Sequence, residues 1–368
     1  MTQEYQICTR CVMDTTAGDI TFDEDGVCNY CKDWHINWEH KVDRRPIEVI
    51  IDELLENRRD GKYDAVLGLS GGVDSSELAR LVWKHGLNVL LVHADSGWNT
   101  KAAWLNVQNI VNTTGFDFFH PRFNHREYRD IINSYLKASV VGLEAPTDNI
   151  LRTFCYQACH DNKIHSLLNG GNFITEGFLP SNWGYDNGDA TNILDIHKRH
   201  GTIPLKETKL LNLFSRTVMH SFKGFKEFRL LNHVDPPYNK FKAKEDLAKE
   251  FGWIDYGRKH SEDRYTKFVE SYIFPKKFGF DKRRAHYSCL ICAGQLTREE
   301  ALKELEIPHY TPEEEASEKE YFTRVLGITI EFLDEYIATP PRSHYEYKTN
   351  ELTKKTIRLY KRAKQVIR

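Results

Sequence analysis

The sequence has no long hydrophobic run and no excess of charge of one sign. No apolar stretch reaches the ~18 to 20 residues that a membrane-spanning helix needs, and residues 1–6 do not form a basic region followed by an apolar core. The 51 Lys and Arg nearly balance the 53 Asp and Glu, so the chain lacks the overall positive charge that holds DNA or tRNA. We therefore expect a cytoplasmic protein with no membrane or nucleic-acid partner.

Changes of pattern along the 368 residues predict three parts. Residues 1–45 hold four cysteines and little apolar periodicity, residues 46–200 alternate apolar strands with amphipathic helices, and residues 201–368 are mostly helical in pattern. Because strands that alternate with helices pair in parallel, the middle part predicts a doubly wound parallel α/β sheet. The predicted strands cover 65–69, 89–92, 116–120 and 165–168, and the predicted helices cover 75–85, 101–113, 128–137 and 151–162.

The first four cysteines form two pairs with metal-ligand spacing. Cys8 and Cys11 are separated by two residues, as are Cys28 and Cys31, and 16 residues lie between the pairs. Four thiolates presented in this way close a tetrahedral zinc site that has no open position. We expect a structural Zn²⁺ that folds a segment too small to bury a core of its own. The spacing does not separate zinc from an iron–sulfur cluster.

A short loop between a predicted strand and a predicted helix carries the features of a phosphate-binding site. Its glycines let backbone N–H groups approach an anion, and the following helix N-terminus adds partial positive charge. The serine hydroxyls can donate to phosphate oxygens, and the aspartate can hold Mg²⁺. A Walker A loop would need a lysine after the glycines, and none is present. The candidate residues are Ser70, Gly71, Gly72, Val73, Asp74, Ser75 and Ser76.

The motif SGGVDSS resembles the PP-loop of the ATP pyrophosphatases, a group that includes asparagine, GMP and NAD synthetases and tRNA thiolases. The resemblance implies that ATP is cleaved between its α- and β-phosphates and that a substrate oxygen is adenylated before a nucleophile displaces AMP. Three further segments, 93–97, 145–149 and 170–177, would then converge on the nucleotide at the carboxyl ends of the strands. The additional nucleotide-binding candidates are His93, Asp95, Gly171, Asn172, Thr175 and Glu176.

Segments 256–260, 274–286 and 294–302, together with the first cysteine pair, resemble the N-acetyl sugar amidotransferases. That resemblance implies conversion of an acetamido group to an acetamidino group during biosynthesis of bacterial lipopolysaccharide or flagellin glycans. The acceptor would be an N-acetylated nucleotide sugar or a nonulosonic acid. Ammonia would come from a separate glutaminase that resembles the histidine-pathway subunit, with a barrel protein like the histidine-pathway synthase between the two.

A run of basic residues in the second of these segments is the candidate for charge neutralisation. Five cations lie within nine residues, and they can neutralise pyrophosphate or the acid groups of a sugar substrate. His286, next to this run, is either a packed residue or an acid–base group. The cations are Lys276, Lys277, Lys282, Arg283 and Arg284, and the first four are, with Asp74, the predicted catalytic residues.

The remaining cysteines leave a second function open. Cys155, Cys159, Cys289 and Cys292 are either ordinary buried cysteines or ligands of a second metal or cluster. A small hydroxylic residue is expected at position 289 from the amidotransferase resemblance. A cluster would favour tRNA thiolation by a PP-loop enzyme that uses an iron–sulfur cluster. The basic tail, residues 348–368, is either a solvated helix face or a docking surface.

Overall fold

The computed structural model describes residues 4–59, 61–222 and 224–357, and its centre is a five-stranded sheet. The strand order is β3-β2-β1-β4-β5, and every pairing is parallel. The strands are β1 (Ala65–Gly68), β2 (Val89–Val92), β3 (Phe118–Phe119), β4 (Ser166–Leu168) and β5 (Lys226–Phe228). The prediction of a parallel α/β sheet is confirmed.

The two central strands are buried on both faces. Ala65 and Leu67 of β1 belong to one hydrophobic cluster with Leu91 of β2, whereas Val66 and Leu90 belong to a second cluster. Because successive side chains of a strand point to opposite faces, the two clusters lie on the two sides of the sheet. Coverage of both sides is what a doubly wound sheet requires.

Most of the helices that precede β5 connect the strands of the sheet. Each of the four predicted helices between 75 and 162 is present, and the fourth begins earlier than expected because Pro146 is in its first turn, where a proline needs no N–H partner. The helices are α1 (Asn29–His40), α2 (Ile47–Glu56), α3 (Val73–Lys84), α4 (Lys101–Thr114), α5 (His125–Ala138), α6 (Ala145–Asp161), α7 (Phe173–Glu176), α8 (Ala190–His200) and α9 (Leu213–Phe222).

The region after residue 200 is mostly helical, as predicted, but it also supplies β5 to the sheet. A boundary at 200 therefore does not coincide with the edge of the sheet, and the three-part division stays a prediction. Residues 358–368 of the basic tail lie outside the described residues. None of the described helices is long and apolar enough to cross a membrane. The helices that follow β5 are α10 (Lys240–Phe251), α11 (Arg264–Phe268), a π-helix (Val269–Phe278), α12 (Arg283–Cys292), α13 (Arg298–Glu306), α14 (Pro312–Leu326) and α15 (Ile330–Ala338), with 3-10 turns at Leu230–Asn232 and His344–Glu346.

The N-terminal cysteine segment is held against α12 and α13 by two arginines. The Arg298 guanidinium donates to the carbonyl oxygens of Cys8 (3.0 Å) and Cys11 (3.1 Å). Arg284 forms an ion pair with the buried carboxylate of Asp14, with Nε and Oδ2 2.8 Å apart. The segment is thus attached to the helical region through polar contacts at its own backbone.

Candidate active site

The loop between β1 and α3 turns sharply at Gly71. Gly71 has a φ of +83°, and a Cβ there would lie 2.4 Å from the carbonyl oxygen of Ala103. Both the dihedral angle and the close approach require glycine. The Gly71 carbonyl accepts hydrogen bonds from Asn106 Nδ2 and Trp253 Nε1, so the loop is held from two elements. The N-terminus of α3 follows at once, and the first N–H groups of a helix are suited to bind an anion.

Two of the three candidate serines line a cavity at this loop. Ser70 Oγ and Ser75 Oγ are 3.0 Å apart, and the Gly72 N–H donates to Ser70 Oγ. Ser76 is fully buried, and its Oγ has no hydrogen-bond partner among the described residues. The expected contact of Ser76 with phosphate is therefore not supported, because one residue along a helix rotates the side chain by about 100°.

Asp74, in the first turn of α3, is fixed in orientation by its neighbours. Tyr238 Oη donates to Asp74 Oδ1 at 2.7 Å, and Asn172 Nδ2 lies 3.4 Å from the same oxygen. The other oxygen, Oδ2, lies 4.0 Å from Lys259 Nζ. This carboxylate is the candidate ligand for Mg²⁺, and its oxygen ligand type suits that ion.

Lys259 is a buried cation between two carboxylates at the same loop. Its Nζ donates to Glu176 Oε1 at 2.9 Å, and it also faces Asp74. Burial acts to lower the pKa of Lys259, but the Glu176 and Asp74 carboxylates raise it above its usual value. Lys259 therefore stays charged. It supplies a positive charge at the loop, which has no lysine of its own after the glycines.

The segment that precedes α11 forms the wall opposite the loop. Tyr256 Oη accepts a hydrogen bond from the Val73 N–H at 3.0 Å. Glu262 Oε1 lies 2.5 Å from where a Cβ on Gly72 would be, so Gly72 must also be glycine unless Glu262 moves. Burial raises the pKa of Glu262 to about 7, and its Oε2 has no partner among the described residues. Glu262 and Asp74 thus bring two carboxyl groups to the loop.

The two candidates at the end of β2 have different positions. His93 lines the cavity, but both of its ring nitrogens are occupied, since Nδ1–H donates to Leu69 O (2.7 Å) and Nε2 accepts from Asn99 Nδ2 (3.0 Å). Asp95 accepts from the Gly97 N–H at 2.7 Å and is not among the described residues that line the cavity. His93 therefore shapes the cavity wall, and Asp95 stabilises a turn beside it.

The first cavity has a volume of about 580 Å³ and lies at the carboxyl ends of β1, β2 and β4. The structure brings the loop, segment 92–96 and segment 167–171 together there, and the first turn of α6 adds Thr147 and Asp148. Gly171 and Glu176 line the cavity, whereas Asn172 and Thr175 are buried behind it. Asn172 caps α7 by accepting from the Thr175 N–H. These two residues therefore orient Glu176.

A second cavity of about 420 Å³ adjoins the first, and Lys259 lines both. Lys282 lies in its wall, with Nζ 2.8 Å from Glu144 Oε2 and 2.7 Å from Glu270 Oε1. Lys240 is also in the wall, and burial lowers its pKa to about 8. The basic residues that line this cavity are Lys240, Lys244, Arg258, Lys259, Lys267, Lys282 and Arg283, against two acids, Glu270 and Glu304.

Three side chains converge where the two cavities meet. His260 lines the first cavity, and His286 and Glu270 line the second. Their ligand atoms all lie within 4.8 Å of one another, and the two imidazole rings are 5.4 Å apart between centroids. Burial, followed by the charge of Lys259, lowers the pKa of both imidazoles well below the usual value, so both rings are neutral.

The five cations predicted to act together in 276–284 are separated in the structure. Lys276 forms an ion pair with Glu315 on the exposed side of the helical region. Lys277 points into the protein, where its Nζ donates to the carbonyl oxygens of Tyr336 and Thr339. Neither lysine lines a described cavity. The expectation that both serve catalysis is not supported, because the π-helix directs them away from the site.

The two arginines of this run have structural partners. Arg283 lines the second cavity, but its guanidinium is bound to Asp281 with Nη2 and Oδ2 2.7 Å apart. Arg284 is turned toward the cysteine segment and Asp14. Of the five cations, Lys282 is therefore the one that lines the second cavity and contacts Glu270 there.

The four N-terminal thiols converge. Cys8 Sγ lies 3.9 Å from Cys31 Sγ, and Cys11 Sγ lies 3.7 Å from Cys28 Sγ. All four side chains are buried, and the four sulfur atoms lie within 4.8 Å of one another. Thiolates around one tetrahedral ion at ~2.3 Å would be about 3.8 Å apart. The cluster fits a single metal ion.

The other cysteines do not form a second cluster in the described part of the chain. Cys155 lines the first cavity and Cys159 is buried one helical turn away on α6. Cys289 is buried on α12 and accepts a hydrogen bond from a backbone N–H. Cys292 Sγ is 3.9 Å from Cys31 Sγ, next to the four-thiol site.

Several residues of this site were missed at the level of sequence. Lys259 and His260 belong to segment 256–260, whose only signal was its resemblance to an amidotransferase motif, and Glu262 lies just outside that segment. Tyr238 and Arg229, which lies in the first cavity, had no signal, because they reach the site through the fold after residue 200.

Residues 262–364 match the family described as "LPS biosynthesis protein WbpG-like, C-terminal domain". No curated protein is significantly similar to the chain.

Three solved structures are similar at low identity. NMN synthetase from Francisella tularensis has a TM-score of 0.29 and 13% identity over 63% of this chain and 94% of that chain. NH3-dependent NAD synthetase from Campylobacter jejuni has a TM-score of 0.29 and 17% identity over 58% and 93%. U34-tRNA thiolase NcsA from Methanococcus maripaludis, with its [4Fe-4S] cluster, has a TM-score of 0.33 and 13% identity over 85% and 92%. At these scores none of the three identifies a reaction for this chain.

Proposed function

We propose that the chain is an ATP-dependent amidotransferase that converts an acetamido group of an anionic bacterial sugar to an acetamidino group. The observation that carries the proposal is the junction of two cavities at Lys259, one built around a phosphate loop and the other lined mainly by cations. The match of residues 262–364 to a lipopolysaccharide biosynthesis domain supports a glycan substrate.

ATP is proposed to bind in the first cavity. The α3 N-terminus and the hydroxyls of Ser70 and Ser75 face its phosphates, and Lys259 adds charge. Asp74 is the residue that would hold Mg²⁺, which neutralises phosphate charge when bound. The acceptor amide oxygen attacks the α-phosphorus, the bond to the β-phosphate oxygen breaks, and pyrophosphate leaves. An amide oxygen is a poor leaving group until it carries AMP.

The acceptor is proposed to occupy the second cavity. Its volume lies in the range of small-molecule sites. The cations there suit the phosphates of an N-acetylated nucleotide sugar or the carboxylate of a nonulosonic acid. Ammonia then adds to the adenylated imidate carbon, loses a proton, and AMP leaves as the carbon–oxygen bond breaks.

The four thiols are proposed to hold one structural Zn²⁺. Cysteines that each ligate a different iron of a cluster must surround the cluster, so the close packing of these sulfur atoms favours a single ion. The ion would fold residues 4–40 and hold them against α12.

Thiolation is the alternative reaction. It needs a reactive sulfur at the nucleotide, and Cys155 is the cysteine that lines that cavity. Burial raises the pKa of its thiol to about 12, so it is protonated at neutral pH and a poor nucleophile. This observation favours ammonia over sulfur transfer.

The proposed ammonia source is a separate glutaminase, because the adenylated imidate must be protected from water and reached by neutral NH3. At pH 7 only about 1% of free ammonia is unprotonated. The isolated chain should therefore use high concentrations of ammonium salts but not glutamine, with activity that rises as pH rises. Addition of the cognate glutaminase should restore glutamine use.

The test is an assay of ATP with Mg²⁺, ammonium and a panel of N-acetylated nucleotide sugars and nonulosonic acids whose acetamido oxygen carries ¹⁸O. The proposal requires AMP and pyrophosphate as products, ¹⁸O in the AMP phosphate, and an amidine on the sugar. Formation of ADP and phosphate contradicts it, as does sulfur transfer to tRNA. Asp74→Asn is the inactive control.

A further inference from the structure

The cluster of His260, Glu270 and His286 lies outside the phosphate loop but touches both cavities. Neither imidazole forms a hydrogen bond with another described residue, so their acceptor nitrogens are available to a ligand. The Glu270 carboxylate, whose Oε1 lies 2.7 Å from the Lys282 ammonium, supplies the third acceptor.

The backbone at His260 is unusual. His260 has a φ of +63°. Of the other two non-glycine residues with positive φ in the described chain, Ser139 is the C-cap of α5 and Lys163 follows the C-cap of α6. A left-handed conformation is unfavourable for a residue with a side chain, because its Cβ crowds the following carbonyl oxygen, and at His260 this conformation belongs to no helix cap. Strain of this kind is often concentrated at functional sites.

We infer that His260, Glu270 and His286 form the binding site for the attacking ammonia at the junction of the two cavities. The inference rests on the proposed function and names the residues that receive its second substrate. Ammonia has three N–H donors and one lone pair. Acceptors placed around it at hydrogen-bond distances of ~2.9 Å would be about 4.8 Å apart, and the ligand atoms of the three groups lie within 4.8 Å of one another, close enough to surround one ammonia molecule. The lone pair is then directed out of the cluster toward the acceptor carbon.

The positive charges around the cluster favour binding of neutral NH3 over NH4⁺. Lys240, Lys259 and Lys282 lie close enough to lower the pKa of the imidazoles. The same surroundings lower the pKa of the buried Lys240 ammonium to about 8, so they disfavour NH4⁺ in the same way. A divalent metal ion would meet the same repulsion, with the Lys282 ammonium in contact with one of its ligands.

Glu270 is the group that takes the proton. As the nitrogen bonds to the imidate carbon, one N–H bond breaks, the proton passes to the Glu270 carboxylate, and the carbon–oxygen bond to AMP breaks. Burial raises the pKa of Glu270 above the usual value for a glutamate, which makes its carboxylate a stronger base. The two neutral imidazoles hold the other N–H groups.

The experiment separates adenylation from amidation. Acceptor-dependent exchange of labelled pyrophosphate into ATP, without ammonia, measures the first step, and amidine formation with ammonium measures the second. Glu270→Gln, His260→Gln and His286→Gln should keep exchange within about threefold of the wild-type rate and lower amidine formation about 100-fold or more. His160→Gln and Glu320→Gln, both on exposed surfaces, are the matched controls and should change neither.

A second readout tests hydrogen bonding to ammonia itself. Methylamine has one N–H fewer, so the wild-type preference for ammonia over methylamine should fall about tenfold in each variant. Equal loss of exchange and amidation, unchanged ammonia dependence, or a second bound metal that is lost in His286→Gln would each overturn the assignment. Absence of exchange in the wild-type chain overturns the proposed function and this assignment with it.

Discussion

The hydroxyl of Tyr238 donates a hydrogen bond to Asp74 Oδ1 at 2.7 Å, across the boundary between the helical region and the phosphate loop. Tyr238 is buried, and burial followed by the charge of Asp74 raises the pKa of its phenol well above the usual value. The phenol therefore remains a donor at any working pH. Oδ1 of Asp74 is thus oriented by Tyr238, and Oδ2, which faces Lys259 at 4.0 Å, is the oxygen that would bind a metal ion.

Asp74 and Tyr238 should differ in how strongly they affect magnesium use. Asp74→Asn removes the charged ligand and should lower AMP formation at least ~100-fold. Tyr238→Phe keeps the ligand but releases its orientation, so the Mg²⁺ concentration for half-maximal rate should rise about 10-fold or more. Titration of activity with Mg²⁺ distinguishes the two. Identical behaviour of both variants would contradict the separate roles.

Gly71→Ala should displace the phosphate loop, an effect larger than the strain of a positive φ alone would cause. The added Cβ would meet the Ala103 carbonyl oxygen, so the loop must move and ATP affinity should fall at least ~10-fold. Gly86→Ala is the control, because Gly86 also has a positive φ (+70°) but open space around it. It should cost about 1 kcal/mol of unfolding free energy and leave ATP binding unchanged. Calorimetric ATP titration and thermal denaturation measure both effects.

Cys28→Ser should lose the bound metal and expose the N-terminal segment to hydrogen exchange. The control is Cys292→Ser, whose sulfur is near Cys31 but outside the set of four. It should keep the full metal content. Elemental analysis for zinc, iron and sulfide, with hydrogen exchange of residues 4–40, gives the result. Full zinc in Cys28→Ser would rule out the four-thiol site.

The cations of 276–284 should have unequal effects on activity. Lys276→Gln breaks an exposed ion pair with Glu315 and should change stability by less than ~1 kcal/mol and activity not at all. Lys282→Gln should lower amidine formation by at least ~10-fold, because it removes a cation from the wall of the second cavity. Circular dichroism of Lys282→Gln checks that the fold is kept. Equal activity of both variants would argue against the position proposed for the acceptor.

His344 should make the fold acid-sensitive. Its Nε2 accepts from the Gly142 N–H at 3.0 Å, its Nδ1–H donates to Asn192 Oδ1 at 2.8 Å, and its ring stacks on Tyr185. This tautomer, assigned from its partners, leaves no room for a second ring proton. Burial lowers the pKa of His344 from 6.5 to about 4.

Because the unfolded chain binds a proton on this residue at a higher pH than the folded chain, stability should fall as pH falls from 6.5 to about 4. The free energy of unfolding should decrease by roughly 3 kcal/mol over this pH range. His344→Gln should be less stable at pH 7.5 but lack this share of the pH dependence. Denaturant titrations at pH 7.5, 6 and 4.5 measure the free energy of unfolding of both proteins. If that free energy changed with pH in parallel for the wild type and His344→Gln, the role assigned to His344 would be wrong.

The sequence predicted the sheet and the phosphate loop because both depend on local patterns. β1, the loop and α3 are contiguous, and their apolar runs and glycines are visible directly. The five cations of 276–284 are close together in sequence, which suggested that they act together. In the structure their side chains point in different directions, because some lie on the π-helix and others at the start of α12. Lys259 and Tyr238 could not be placed, because only the packing of the later helices brings them to the loop.

The contact between the cysteine segment and α12 links parts of the chain that leave the ribosome at very different times. About 250 residues lie between Cys31 and Arg284, which at ~5 to 20 residues per second corresponds to roughly 13 to 50 seconds of synthesis. During that interval the segment lacks the contacts that Arg284 and Arg298 later provide. A metal ion bound by the four thiols would therefore have to hold the segment together by itself until α12 and α13 have been made.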